Sequence, residues 1–164
     1  MKNFITAYFT AVAKRIKRAD SSVSAVTSIT AVSAMTLTLQ GMRGTQVYTL
    51  ANENGKTELR LYRSFFSDGK SVLKLEKSAE YVLETLIEQM NACGVLRWDG
   101  FHGKHPKKVQ DGIMFCFQAV VNDGQSCRAD GSANFPKGFH EFVQKLNRLL
   151  TEQKPETDSD SALS

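Results

Sequence analysis

From Met35 to Leu75 the chain alternates apolar and polar residues, and its runs are broken by turn formers. Met35-Thr36-Leu37-Thr38-Leu39 opens the pattern. Val47, Thr49 and Ala51 then interleave with Tyr48 and Leu50, and Leu59, Leu61 and Phe65 follow. Val72, Leu73 and Leu75 end the series. A period of two places successive side chains on opposite faces, which a half-buried strand requires and a helix does not allow. Asn52-Glu53-Asn54-Gly55 and Ser67-Asp68-Gly69 supply residues that tolerate positive φ, so they join the runs as hairpins. The pattern predicts an antiparallel meander with one solvated face, carried by Glu58, Arg60, Arg63, Lys70, Lys74 and Glu76.

After Leu75 the period changes. Ala79, Val82, Leu83, Leu86, Ile87 and Met90 recur at three and four residues, with Glu80, Glu84 and Glu88 opposite. This is an amphipathic helix over 78–93, with Ser78 as its N-cap and Gly94 as its left-handed stop. Ile113 to Val121 is nearly all apolar and reads as a strand covered on both faces. Asn122-Asp123-Gly124 turns it into a partner at Gln125–Ala129. Asp130 to Pro136 reads as an irregular connection. A last helix is expected over 136–150, with Phe139, Phe142, Val143, Leu146, Leu149 and Leu150 on one face. The expected fold is α+β: an antiparallel sheet of five to seven strands with both helices on one face. The order of elements hints at two similar halves, but no sequence identity supports a repeat.

The ends differ from this middle. Phe4, Ile5, Tyr8, Phe9, Val12 and Ile16 share one face, while Lys14, Lys17 and Arg18 fall away from it. A basic amphipathic helix over 3–18 follows, suited to its own domain or to an anionic membrane surface. Ser21 to Gln40 carries no charge, but serine and threonine crowd it and leucine is scarce, so it does not read as a membrane span. Residues 21–33 resemble a linker, and the change of character at Met35 suggests a domain over 35–151 preceded by a 34-residue appendage with Met35 as an alternative start. Residues 152–164 hold four acidic residues against Lys154 alone, a composition expected of a disordered tail. The domain before them is therefore more basic than the overall charge of +4. Cys93, Cys116 and Cys127 are too few, and odd in number, for a disulfide framework; reduced thiols and a cytoplasmic setting are expected.

Chemistry concentrates in Arg97-Trp98-Asp99-Gly100-Phe101-His102-Gly103-Lys104-His105-Pro106-Lys107-Lys108, which holds the single tryptophan and two of the three histidines. Irregular loops flanked by apolar scaffold are where binding residues gather. Arg97, Trp98, Phe101, His102, Lys104, His105, Lys107 and Lys108 are the candidate binding residues, with a protein as the expected partner; the alternative is that Trp98 and Phe101 point inward and anchor the loop to the core while the lysines are merely solvated. A single-stranded nucleic acid is the alternative, because lysines meet phosphates and aromatic rings stack on bases. A hydrolase using Asp99, His102, His105 and Asp111 is the third reading. No nucleophile stands beside a base in sequence, and no phosphate-binding glycine motif follows a strand. Neither a Cys-x-x-Cys pair nor a His-Glu-x-x-His helix is present, so no metal and no cofactor is expected.

The ordered set Trp98-Asp99-Gly100-Phe101, Asp111-Gly112, Asp123-Gly124 and Gly131-Ser132-x-x-Phe135-Pro136 before a helix resembles small α+β domains of Clostridia-like Firmicutes. The likeness spans about residues 35–150 and rests on short turn motifs. It implies a fold and no activity, and some members of that group are exported.

Overall fold

The computed structural model describes residues 28–53, 56–67 and 69–152. The expected helix over 3–18 and all but the first residue of the acidic tail lie outside them.

The first four strands are β1 (Val32–Gly41), β2 (Gly44–Glu53), β3 (Lys56–Ser67) and β4 (Lys70–Glu80). Helix α1 (Leu83–Ala92) and a 3-10 turn (Val95–Trp98) come next, followed by β5 (Phe101–Gly103), β6 (Met114–Val121), β7 (Gln125–Ser132) and α2 (Phe139–Glu152). The strands form one sheet in the order β4-β3-β2-β1-β6-β7-β5. The architecture is α+β, with a mixed sheet: every neighbouring pair is antiparallel except β5, which runs parallel to β7. β5 lies inside the stretch expected to be irregular, which is why a purely antiparallel sheet was anticipated.

Both helices cover the same face. Leu86 and Met90 of α1 and Phe139, Phe142, Leu146 and Leu150 of α2 join one core with Met35, Leu37, Tyr48, Leu59, Leu61, Phe115, Phe117 and Ala129. Among the described residues no element covers the other face, and β6 shows it. Phe115 and Phe117 are buried while Met114 and Cys116 are exposed, so the strand expected to be covered on both faces is covered on one along its first half.

Two element boundaries moved, each through a long-range contact. β4 continues through Ser78 and Ala79, which pair with Arg60 and Leu59. The expected cap residue and the first residue of the helical stripe therefore belong to a strand, and α1 starts at Leu83 without a side-chain cap. Strand pairing outweighs a local N-cap preference worth about 1 kcal/mol. Between them Tyr81 takes φ +57° to turn the chain. Gly94 does close α1 in the left-handed conformation, φ +68°.

The second change is at the start. Residues 28–34, expected to be linker, belong to the domain: Ile29 is 2% exposed and Val32 opens β1 within the core. Two asparagines hold this lead-in. Asn91 Nδ2 donates to the Ile29 carbonyl and its Oδ1 accepts from the Ile29 N–H, both at 2.8 Å. Asn122 Oδ1 accepts from the N–H groups of Thr30 (2.7 Å) and Ala31 (3.3 Å), and its Nδ2 donates to the Ser28 carbonyl. Among the described residues, no helix is long and apolar enough to cross a membrane.

Candidate functional site

Glycine at 94 lets the chain reverse straight into the 3-10 turn, and that turn drives Trp98 inward. Trp98 is 1% exposed. Its ring meets Phe117 at 5.3 Å, Phe142 at 5.5 Å and Phe139 at 5.7 Å between centroids, and Nε1–H donates to the Lys137 carbonyl at 2.9 Å. Trp98 is thus a core residue tying the turn to α2 and its entry, not a contact surface. Phe101 is half-buried over the cluster of Phe115, Phe135 and Phe139. Large rings carry the most apolar area to bury, and here the fold buries it.

The polar residues between them fasten the segment to β7. An Asp99 carboxylate oxygen accepts from the Arg128 N–H at 2.9 Å, and the Gly100 N–H donates to the Arg128 carbonyl at 2.9 Å. Gly103 and Gly131, paired across β5 and β7, both lie against the Asn134 carbonyl. A Cβ added at Gly131 would stand 2.5 Å from that oxygen and 3.0 Å from the Gly103 Cα, so the close approach of these backbones needs glycine.

The two loop histidines part company. His105 Nε2–H donates to the Val109 carbonyl at 2.6 Å; in the neutral ring Nδ1 then accepts from the Ser132 hydroxyl at 2.8 Å. Both nitrogens are engaged in holding the loop's shape. His102 Nδ1–H instead donates to the Asp130 carboxylate, at 2.8 and 3.1 Å, and both side chains are exposed. The expected set of Asp99, His102, His105 and Asp111 is therefore not assembled. Asp99 caps a β7 amide, the histidines face different partners, Asp130 for His102 and Ser132 and Val109 for His105, and Asp111 is exposed. Among the described residues no three His, Cys, Asp or Glu side chains converge as metal ligands would.

The remaining candidates point outward. Arg97 is exposed, with its guanidinium folded back over Gly94. Lys104, Lys107 and Lys108 are exposed. The ion pairs among the described residues, from Lys56–Glu80 to Arg148–Glu152, include none of these four side chains.

Residues outside the loop complete the site. His102, Asp130 and Cys116 stand abreast on β5, β7 and β6, since His102 pairs with Asp130 and Asp130 with Cys116. Gln118 and Arg128 pair in the next row on the same face. Together with Phe101 they line a shallow concavity of about 330 Å³ on the open side of the sheet. Asp130 was assigned to an irregular connection, yet equal counting back from the turn at Asp123 sets it opposite Cys116. The hairpin register was the available signal for these partners. Partial desolvation on the sheet raises the Cys116 thiol above its ordinary value; the Gln118 amide opposes this, Asp130 adds to it and Arg128 opposes it. The thiol is held protonated rather than activated as a nucleophile. Cys93, Cys116 and Cys127 are all free.

No family model, curated protein or solved structure matches the chain.

Proposed function

We propose that this protein is a non-catalytic binding module that engages the acidic surface of a protein partner through Arg97, His102, Lys104, Lys107 and Lys108. The observation that carries this reading is the division of the loop into a buried half and a projecting half. Trp98, Phe101, Asp99 and His105 are consumed in fixing the backbone, and the lysines they hold out are exposed. A loop fixed before binding loses less conformational freedom when a partner arrives. Arg97, Lys104, Lys107 and Lys108 form no ion pair among the described residues, and such cations steer an acidic surface into contact and set its orientation. The concavity beside them offers Gln118 and Arg128 as additional contacts.

A nucleic acid meeting the same lysines would have phosphate contacts alone, because the Trp98 ring is buried and Phe101 lies half-covered. A protein partner therefore matches these residues better than a nucleic acid does.

The test is purification of the full-length chain with its native partner at low salt, beside the variant Lys104→Ala/Lys107→Ala/Lys108→Ala. A stoichiometric partner is expected to co-purify with the parent chain and to be lost from the variant, while thermal unfolding of the two stays the same. Retention of that partner by the triple variant would remove the loop as the contact surface. Equal binding of the parent chain to single-stranded DNA, RNA and heparin would replace protein recognition with a bare charge effect.

A further inference from the structure

Among the described residues, β4 is the long free edge of the sheet. It spans eleven residues against three for β5 at the opposite edge, and every residue from Lys70 to Ser78 is exposed. An edge strand leaves alternate backbone N–H and C=O groups without a strand partner. This one also displays apolar side chains on both faces: Val72 is 43% exposed, Leu73 39% and Leu75 53%. Phe65, beside Val72 on β3, is 45% exposed. Such a strand invites another strand.

The pattern of β4 restricts what that strand is. Val72, Leu73, Lys74 and Leu75 pair in unbroken register with Phe65, Ser64, Arg63 and Tyr62; the register shifts only after Leu75, leaving Glu76 as the extra residue. Lys70, Val72 and Lys74 therefore share one face, and Ser71, Leu73 and Leu75 the other. Glu76 joins the Lys74 face, because it pairs with Arg63 at 2.6 Å and Arg63 is the register partner of Lys74. Consider a second copy of β4 laid antiparallel on the first. Residues directly opposite must lie on the same face, so the two-fold axis passes through one residue of each copy. Centring on Val72 sets Lys70 against Lys74 of the second copy. Centring on Lys74 sets lysine against lysine. Centring on Leu73 brings Leu73 to Leu73, Val72 to Lys74 and Lys70 to Glu76, with Leu75 beside Leu73 on the open face. Directly opposed like charges destabilise a strand pair and opposite charges stabilise it. The Leu73-centred register alone among the three has no lysine facing lysine, and only its outermost pair, Lys70 with Glu76, reaches the bulge.

We infer that β4 is a self-pairing edge, through which two copies of this chain join antiparallel about Leu73 and merge their sheets into one. This is independent of the loop reading, since no residue of 97–108 takes part.

Sedimentation equilibrium of the full chain, followed into the hundreds of micromolar, is expected to show a mass rising from 18.2 kDa toward twice that value. Leu73→Lys puts like charges on the two-fold axis and is expected to hold the mass at 18.2 kDa throughout, with an unchanged circular dichroism spectrum. The register is read by cross-linking in a Cys116→Ser background, where the other two cysteines are buried. Leu73→Cys is expected to oxidise to a covalent dimer, because directly opposite residues lie within disulfide reach. Val72→Cys, which faces Lys74 of the second copy, is expected to stay unlinked. A monomer at every concentration overturns the inference. So does a dimer that survives Leu73→Lys, or equal cross-linking of Val72→Cys and Leu73→Cys.

Discussion

The β6–β7–β5 side of the sheet and the β3–β4 hairpin start from similar strands and end differently. On the first side, α2, the 3-10 turn and the loop close over the apolar face, and Trp98 sits at the junction with Phe117, Phe139 and Phe142 around it. On the second, the strands run past the helices and leave Phe65 and Val72 in contact with solvent, while Leu73 and Leu75 lie on the open face. The difference lies in where the covering elements attach. α2 enters beside Phe135 and Phe139, crosses over Tyr48, whose hydroxyl lies 2.9 Å from Asn147 Oδ1, and makes few contacts with β3 and β4. The same apolar side chain is thus a core residue on one side and a surface residue on the other.

A matched pair of side-chain truncations separates the two sides most clearly. Trp98→Ala is expected to cost about 3–5 kcal/mol of unfolding free energy, from the lost ring and the cavity left behind. Leu75→Ala is expected to stay within about 0.5 kcal/mol, measured at a concentration where the chain is monomeric. Urea unfolding of both variants checks this; equal losses would mean that the hairpin is as well packed as the loop side. Next in size is removal of residues 1–34. A chain beginning at Met35 loses the buried Ile29 and Val32 and the bonds to Asn91 and Asn122. It is expected to be less stable by about 3 kcal/mol or more. A melting temperature equal to that of the full chain would return residues 28–34 to the status of linker.

Alkali probes the closed side more gently. Burial, reinforced by the Asp99 charge, pushes the Cys127 thiol from 9.0 up to about 12. Between those values the unfolded chain releases a proton that the folded chain retains, so stability falls as pH rises through 9 toward 12. Cys127→Ser, read by urea midpoints across that range, is expected to flatten this slope, while Cys116→Ser leaves most of it. The smallest effect belongs to His102→Ala. The His102–Asp130 pair is exposed on both members, and its loss is expected to shift stability by no more than about 0.5 kcal/mol. A larger loss would make the pair part of the scaffold rather than of the site.

Much of the fold was legible from periodicity. The meander, the helical stripe ending at Gly94 and the apolar face of α2 all appear in the residues, because their signals are local and repeated. The site was legible only as a stretch. That 97–108 mattered to the structure could be read; which of its residues point outward could not. Trp98 and Lys104 sit in the same loop, and their opposite fates depend on Phe142 and Lys137, some forty residues later. Asp130 joined His102 through a parallel strand pair that has no turn signature to announce it.

By itself, then, the amino-acid order determined which segments are strands and helices and which face of each seeks cover, since alternation and amphipathicity act between near neighbours. The tertiary structure decided the rest: that Ser78 continues a strand instead of capping a helix, that residues 28–34 belong to the core, and that the tryptophan of the basic loop turns inward. Each of these outcomes rests on a contact between residues far apart in sequence, whose energy exceeds the local preference it overrides and leaves no mark in the neighbouring residues.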